Sequence, residues 1–306
     1  MNKNELNEYI KKAEEGDVNS QLILGLTYLK GDNEIPANDK EAFKWFKAAA
    51  EQGNPIAQCN LGIFYANGEG VKQDYNEAFR WFKAAAEQGH AEAQFNLGAY
   101  YYLGIGITQD YNEALRWYKA AAEQGYTEAQ CNLGVYYLKG EGVKQDYNEA
   151  FRWLKAAAEQ GNEKAQCNLG VCYYFGEGVK QDYNEAFRWF KAAAEHGLAK
   201  AQFNLGECYY NGEGVRQDYN EAFRWFKAAA EQGHAGAQCR IGICYHWGEG
   251  VRQDYKEAYY WYLISYLNGY TAVKQNIYLI ENNLTYQQKQ EVQNRVKEWF
   301  KTHPKE

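Results

Sequence analysis

NPIAQCNLGIFYANGEGVKQDYNEAFRWFKAAAEQG, residues 54–89, decides the fold, because the chain repeats it with small changes from end to end. Its first half places Ala57, Leu61, Gly62 and Tyr65 at i, i+4, i+5 and i+8, the stripe of an amphipathic helix. Gly68-Glu69-Gly70-Val71 follows. The glycines can take positive φ and end the helix, and Val71 is expected to plug the core beneath the turn. Asp74 then serves as an N-cap, with Glu77 three residues on, the pattern of a capping box worth roughly 0.5–2 kcal/mol. Ala78, Trp81 and Ala85 are the expected buried stripe of the second helix, and Gly89 closes it.

Three sets of residues carry this unit along the chain. Trp45, Trp81, Trp117, Trp153, Trp189, Trp225 and Trp261 are each 36 apart (81 − 45 = 36). Gly62, Gly98, Gly134, Gly170, Gly206 and Gly242 keep the same step, as do Asp74, Asp110, Asp146, Asp182, Asp218 and Asp254. A period of this size means stacked two-helix units that bury their faces against one another. A mid-helix glycine costs about 1 kcal/mol against alanine. Its recurrence points either to close helix–helix approach or to copying by duplication.

The expected units are about 17–53, 54–89, 90–125, 126–161, 162–197, 198–233 and 234–269, the first with one extra residue in its turn between Asp32 and Pro36. Residues 1–16 are expected to hold an N-terminal capping helix. From 270 to 306 the pattern decays into a degenerate half-repeat, with Tyr278 where the mid-helix glycine should stand. A last capping helix follows Thr285. The fold class is therefore all-α, a solenoid of seven 36-residue helix–turn–helix repeats.

Composition narrows the function. Of 306 residues, 46% are hydrophobic and only 3 are proline, which suits a large buried core with many glycine turns. A net charge of −7 argues against nucleic acid as the main partner, since phosphate binding needs a basic face. No apolar run approaches a membrane span or the core of a signal peptide, so a cytoplasmic, membrane-free protein is expected.

Catalytic and metal readings find little support. Cys59, Cys131, Cys167 and Cys239 share one repeat position, and Cys172, Cys208 and Cys244 another. Equivalent positions in stacked units lie about 8–10 Å apart, too far for a disulfide. Free thiols acting as small apolar filler are expected. His90, His196 and His234 flank inter-unit glycines and are expected at the surface, and His246 lacks the further ligands a metal site needs. Asp74, Glu77 and their copies serve as caps, not as an acid–base pair. The Gly-x-Gly turn lacks the strand and Lys-Ser/Thr of a phosphate loop. No catalytic residue, metal or cofactor is expected.

Ala57, Leu61-Gly62, Tyr65, Gly68-x-Gly70-Val71, Asp74, Ala78, Trp81, Ala84-Ala85 and Gly89, repeated over about residues 17–280, resemble the Sel1-like repeat family, relatives of the tetratricopeptide repeat. The resemblance implies a right-handed αα-superhelix, an adaptor role in protein complexes and, often, a bacterial source. Some cysteine-rich relatives are linked to β-lactamase activity through cysteines that bridge the two helices of a unit. Here the second helices carry none, so that activity stands only as an alternative. A secreted, host-directed effector is the other.

By analogy with tetratricopeptide arrays, one face of each first helix would line a concave groove. Read along the chain it carries Cys59, Ile63, Asn67; Phe95, Ala99, Tyr102, Leu103; Cys131, Val135, Leu138, Lys139; Cys167, Val171, Tyr174, Phe175; Phe203, Glu207, Tyr210, Asn211; and Cys239, Ile243, His246, Trp247. Positions that change between copies are free to serve a ligand, and exposed aromatics are common anchors. The expected partner-binding residues are Phe95, Tyr102, Leu138, Lys139, Tyr174, Phe175, Phe203, Glu207, Tyr210, Asn211, His246 and Trp247, and the expected ligand is a peptide or helix of another protein. The competing expectation is that neighbouring repeats bury these side chains and nothing binds.

Overall fold

The computed structural model describes residues 2–303. Among these are seventeen α-helices, one 3₁₀ turn and no strand. Helix α1 (Lys3–Glu14) comes first. Paired helices follow: α2 (Val18–Lys30) with α3 (Asp39–Glu51), α4 (Pro55–Asn67) with α5 (Tyr75–Glu87), α6 (Ala91–Leu103) with α7 (Tyr111–Glu123), α8 (Thr127–Lys139) and α9 (Tyr147–Glu159), α10 (Glu163–Phe175) with α11 (Tyr183–Glu195), α12 (Ala199–Asn211) with α13 (Tyr219–Glu231), and α14 (Ala235–Trp247) with α15 (Tyr255–Leu267). After a 3₁₀ turn at Thr271–Val273 come α16 (Lys274–Glu281) and α17 (Tyr286–Thr302). The array of helix pairs read from the sequence is what the chain folds into.

The chain forms two compact units, residues 1–146 and 147–306. In unit one, consecutive helices from α1 to α8 pack on one another. Unit two does the same from α9 to α15, and α16 and α17 both pack on α15.

The mid-helix glycines exist for close approach. In unit two the ring of Phe226 lies on Gly206, where an added Cβ would stand 2.6 Å from ring carbon Cδ1. Phe82 on Gly62 and Phe190 on Gly170 repeat the arrangement. Of the expected stripe of the second helix, Ala78 and Ala85 are buried, as are Trp45, Trp117, Trp153 and Trp261, but the unit at 54–89 differs in its tryptophan. Phe82, one residue after Trp81, is the deeply buried ring, while Trp81 is only half-buried. Tyr65 is likewise half-buried, and Phe64 beside it takes the core position.

The second-helix start is also simpler than a capping box. Asp74 accepts from Asn76 N–H and Glu77 N–H, but its own N–H donates to Tyr65 O. Glu77 turns outward to pair with Arg80. The full box forms at α1, between Asn2 and Glu5, and at α17, between Thr285 and Gln288.

The histidines expected at the surface include two caps. Asn54 and Asn162 cap α4 and α10 through side-chain oxygens. His90 and His234 take that place on α6 and α14, accepting through Nδ1 from Ala93 N–H (3.3 Å) and Ala237 N–H (3.1 Å). Both are half-buried, and burial lowers their pKa from 6.5. A depressed base binds its proton more readily in the unfolded chain. The stability these caps contribute is therefore full above about pH 6.5 and is lost as pH falls through the lower folded value. Urea titrations from pH 7 to 5 should show that decline, and the His90→Asn/His234→Asn variant should flatten it. An unchanged slope would mean that other groups cause it.

A row of buried glutamines stitches successive helix pairs. Gln58, Gln94 and Gln130 in unit one, and Gln166, Gln202 and Gln238 in unit two, each donate Nε2 to a carbonyl eight residues earlier, at the end of the preceding helix. Their Oε1 atoms in turn accept from the far end of the same pair: Gln88 to Gln58, Gln124 to Gln94, Gln232 to Gln202. At Gln166 the donor position is His196, which is exposed, and Gln166 Oε1 is left buried without a hydrogen-bond partner. Restoring the row with His196→Gln should raise stability by about 0.5–1.5 kcal/mol. Chemical unfolding monitored by circular dichroism reads the gain, and no gain would mean that water already serves this oxygen.

Candidate functional site

The twelve expected binding residues divide by what holds them. In unit one, Phe95 is half-buried, with its ring 5.6 Å from that of Tyr118 and 5.3 Å from that of Tyr126. Tyr102 donates its hydroxyl to Glu141 (3.0 Å) and packs 5.0 Å from Tyr136. Lys139 is exposed and pairs with Glu141 at 3.3 Å, and Leu138 is half-buried. Leu103, on the same face, is 59% exposed.

Unit two is richer. Tyr174 donates to Glu213, and Tyr210 to Glu249, each at 2.7 Å. These bonds span 39 residues, from the end of one first helix to the turn of the next pair, and so lock neighbouring repeats together. Burial and the carboxylate acceptors hold both phenols well above their usual pKa. Asn211 Nδ2 also donates to Glu213 (3.3 Å). Phe203 stacks on the capping ring of His234 at 4.7 Å. His246 stacks on Trp247 at 4.7 Å with the rings nearly parallel, and its Nδ1 lies 3.3 Å from the Tyr262 hydroxyl.

Two large apolar side chains remain largely open to solvent here, Phe175 at 64% and Trp247 at 66%. Both are the last residue of a first helix. The expected cysteine lining does not hold. Cys59, Cys131, Cys167 and Cys239 are buried in the packing between helices. Burial pushes the Cys59 thiol up to about 12 and those of Cys167 and Cys239 to about 11, so they stay protonated at neutral pH. Among the described residues no group of three or more His, Cys, Asp or Glu is placed to hold a metal ion, and no helix is long and apolar enough to cross a membrane.

Glu207 is the exception on this face. Its position holds Ile63, Ala99, Val135, Val171 and Ile243 in other repeats. Glu207 Oε2 pairs with Arg240, whose own position holds asparagine in the five preceding repeats. The Arg240 guanidinium also lies 5.1 Å from the centre of the Tyr210 ring. Glu207 Oε1 is buried without a partner, and burial raises the pKa of the carboxyl. Together with Val171, Tyr174, Phe175, Phe190 and Asn204, Glu207 lines a recess of about 130 Å³. The structure thus brings Tyr174, Phe175 and Glu207 into one site. Asn204 and Arg240 belong to the same neighbourhood and were missed by sequence reasoning. Their signal was present: Glu207 and Arg240 break two otherwise neutral columns in adjacent repeats.

The Sel1 repeat profile matches residues 18–54, 55–90, 91–126, 127–162, 163–198, 199–234 and 235–276. A Sel1 repeat protein from Oxalobacter formigenes is similar in structure, with a TM-score of 0.71 and 32% identity over 80% of this chain and 96% of that one. A protective antigen of uropathogenic Escherichia coli, described as displaying an SLR fold, aligns over 97% of this chain and 94% of its own at 26% identity and a TM-score of 0.48. An F-box protein of Arabidopsis thaliana is 39% identical over 67 residues, 22% of this chain, and this chain spans only 18% of that relative.

Proposed function

This chain belongs to the Sel1 repeat family, whose members generally serve as protein-interaction scaffolds, and on that premise we propose that it is a non-enzymatic adaptor whose first-helix face takes a peptide or helix of a partner protein. One observation carries the reading: Phe175 and Trp247 stand exposed at equivalent positions in unit two, where a soluble surface would ordinarily carry polar residues. Asn67 and Asn211 fill that position in other repeats, so the scaffold does not require an aromatic there. Residues 1–16 and 270–306 cap the repeats at 17–269 in this reading. Seven buried thiols suit a reducing compartment, in keeping with the cytoplasm.

The Phe175→Ala/Trp247→Ala variant tests it. Exposed truncations of this kind change stability by only about 0.5 kcal/mol. Affinity capture from the native source with quantitative mass spectrometry should show proteins retained by the natural chain and lost by the variant. Identical captured sets would remove this face from the binding surface.

A further inference from the structure

We propose that the recess between α10 and α12 is a socket for one cationic side chain, lysine or arginine, of the bound partner segment. This rests on the reading that the first-helix face takes such a segment, and adds what the segment must carry. Three observations converge. The walls are aromatic: Tyr174, Phe175 and Phe190 line the recess, and ring faces attract cations. The recess also holds Glu207, whose Oε2 is engaged by Arg240 while Oε1 has no donor. A buried carboxylate with one oxygen undonated is costly, and a cation seated in the recess would offset its charge. Finally, the local charge is negative. Glu213, which accepts from Tyr174, lies close enough to Glu207 to disfavour its ionisation, so a second carboxylate adds to the negative charge around the recess.

The volume of about 130 Å³ suits one side chain rather than a small-molecule ligand. The neighbouring repeats argue for specificity in this place. Where Val171 and Asn204 stand at the two equivalent positions, no charge is present to select a partner. Phe175 forms one wall and is mostly solvent-exposed, so a segment lying along the face can reach the recess from outside.

Selection of a random 12-residue peptide display library on the full chain tests the socket. Enriched peptides should share a lysine or arginine at one fixed distance from an apolar anchor. Glu207→Gln should cut affinity for those peptides by about tenfold, the loss of one close charge–charge attraction. Because Glu207→Gln leaves Arg240 without its ionic partner, a second variant guards against misfolding. Glu207→Val/Arg240→Asn installs the residues of neighbouring repeats, and it should fold normally yet enrich peptides without the basic position.

Enrichment of acidic or wholly apolar peptides that still depend on Phe175 and Trp247 would overturn the socket and leave the adaptor face standing. A basic consensus kept by both Glu207 variants would also overturn it. Peptides bound equally by the Phe175→Ala/Trp247→Ala variant, or no enriched peptide at all, would remove both proposals.

Discussion

Gly214→Ala is expected to cost unit two about 3 kcal/mol or more. Gly214 sits in the turn after α12 with φ at +70°, where an L side chain is strained by about 1–2 kcal/mol. The second cost is contact. An added Cβ would run into the backbone carbonyl of Tyr183 and stand 3.0 Å from Asn184 N. Neither can retreat, because Tyr183 begins α11 and Asp182 holds Asn184 N–H in its cap. Forced overpacking adds about 1–3 kcal/mol. Gly197→Ala is the control. It also has positive φ, at +91°, but nothing lies within 4 Å of its added Cβ, so only the conformational cost of about 1–2 kcal/mol remains. Urea unfolding followed by circular dichroism compares the two. Equal losses would show that the contact between turn and preceding helix carries no strain.

Phe226→Ala should be at least as damaging, at about 3–5 kcal/mol, because it empties a fully buried site. The ring is boxed in by Gly206 beneath it, Phe203 at 5.9 Å and Tyr210 at 6.2 Å, and backbone cannot collapse into that space. Gly206→Ala should also destabilise the natural chain, since its Cβ would stand 2.6 Å from the ring. With the ring gone, the same Cβ fills vacant space. The double variant should therefore be more stable than the sum of the two single losses implies, by more than about 1 kcal/mol. Simple additivity in denaturant titrations would refute the ring-on-glycine account.

Much of this was legible from spacing. A 36-residue period in tryptophan, glycine and aspartate requires stacked helix pairs, and the glycine column required a close neighbour. Which ring is that neighbour was harder to read. Trp81 and Phe82 are adjacent and both aromatic, and a rotation of one residue decides which faces inward. The site was partly legible for the same reason. Phe175 and Trp247 lie at the last helical turn, beyond the reach of the next pair, and remain exposed. Cys59 and Cys167 lie two turns earlier on the same face, where the adjacent helices cover them. Tyr174 and Tyr210 were read as free for a ligand, yet each spends its hydroxyl on a carboxylate of the next turn. Period arithmetic cannot show such a bond, because it joins residues 39 apart, three beyond the repeat length.

The glutamine row bears on how like repeats recognise one another. Every join between successive pairs uses the same donor and the same carbonyl, so the surface that receives one pair would accept the corresponding pair of another copy. Left open at either end, identical bricks would concatenate from molecule to molecule. The row stops where it must. Lys274 occupies the place of the next glutamine, and α17 lies against α15 with Arg295 and Lys256 bound to Glu257 and Glu291. At the other end α1 offers Ala13 O to Gln21 and carries no glutamine of its own. The glutamine row thus ends at α1 on one side and at Lys274 on the other.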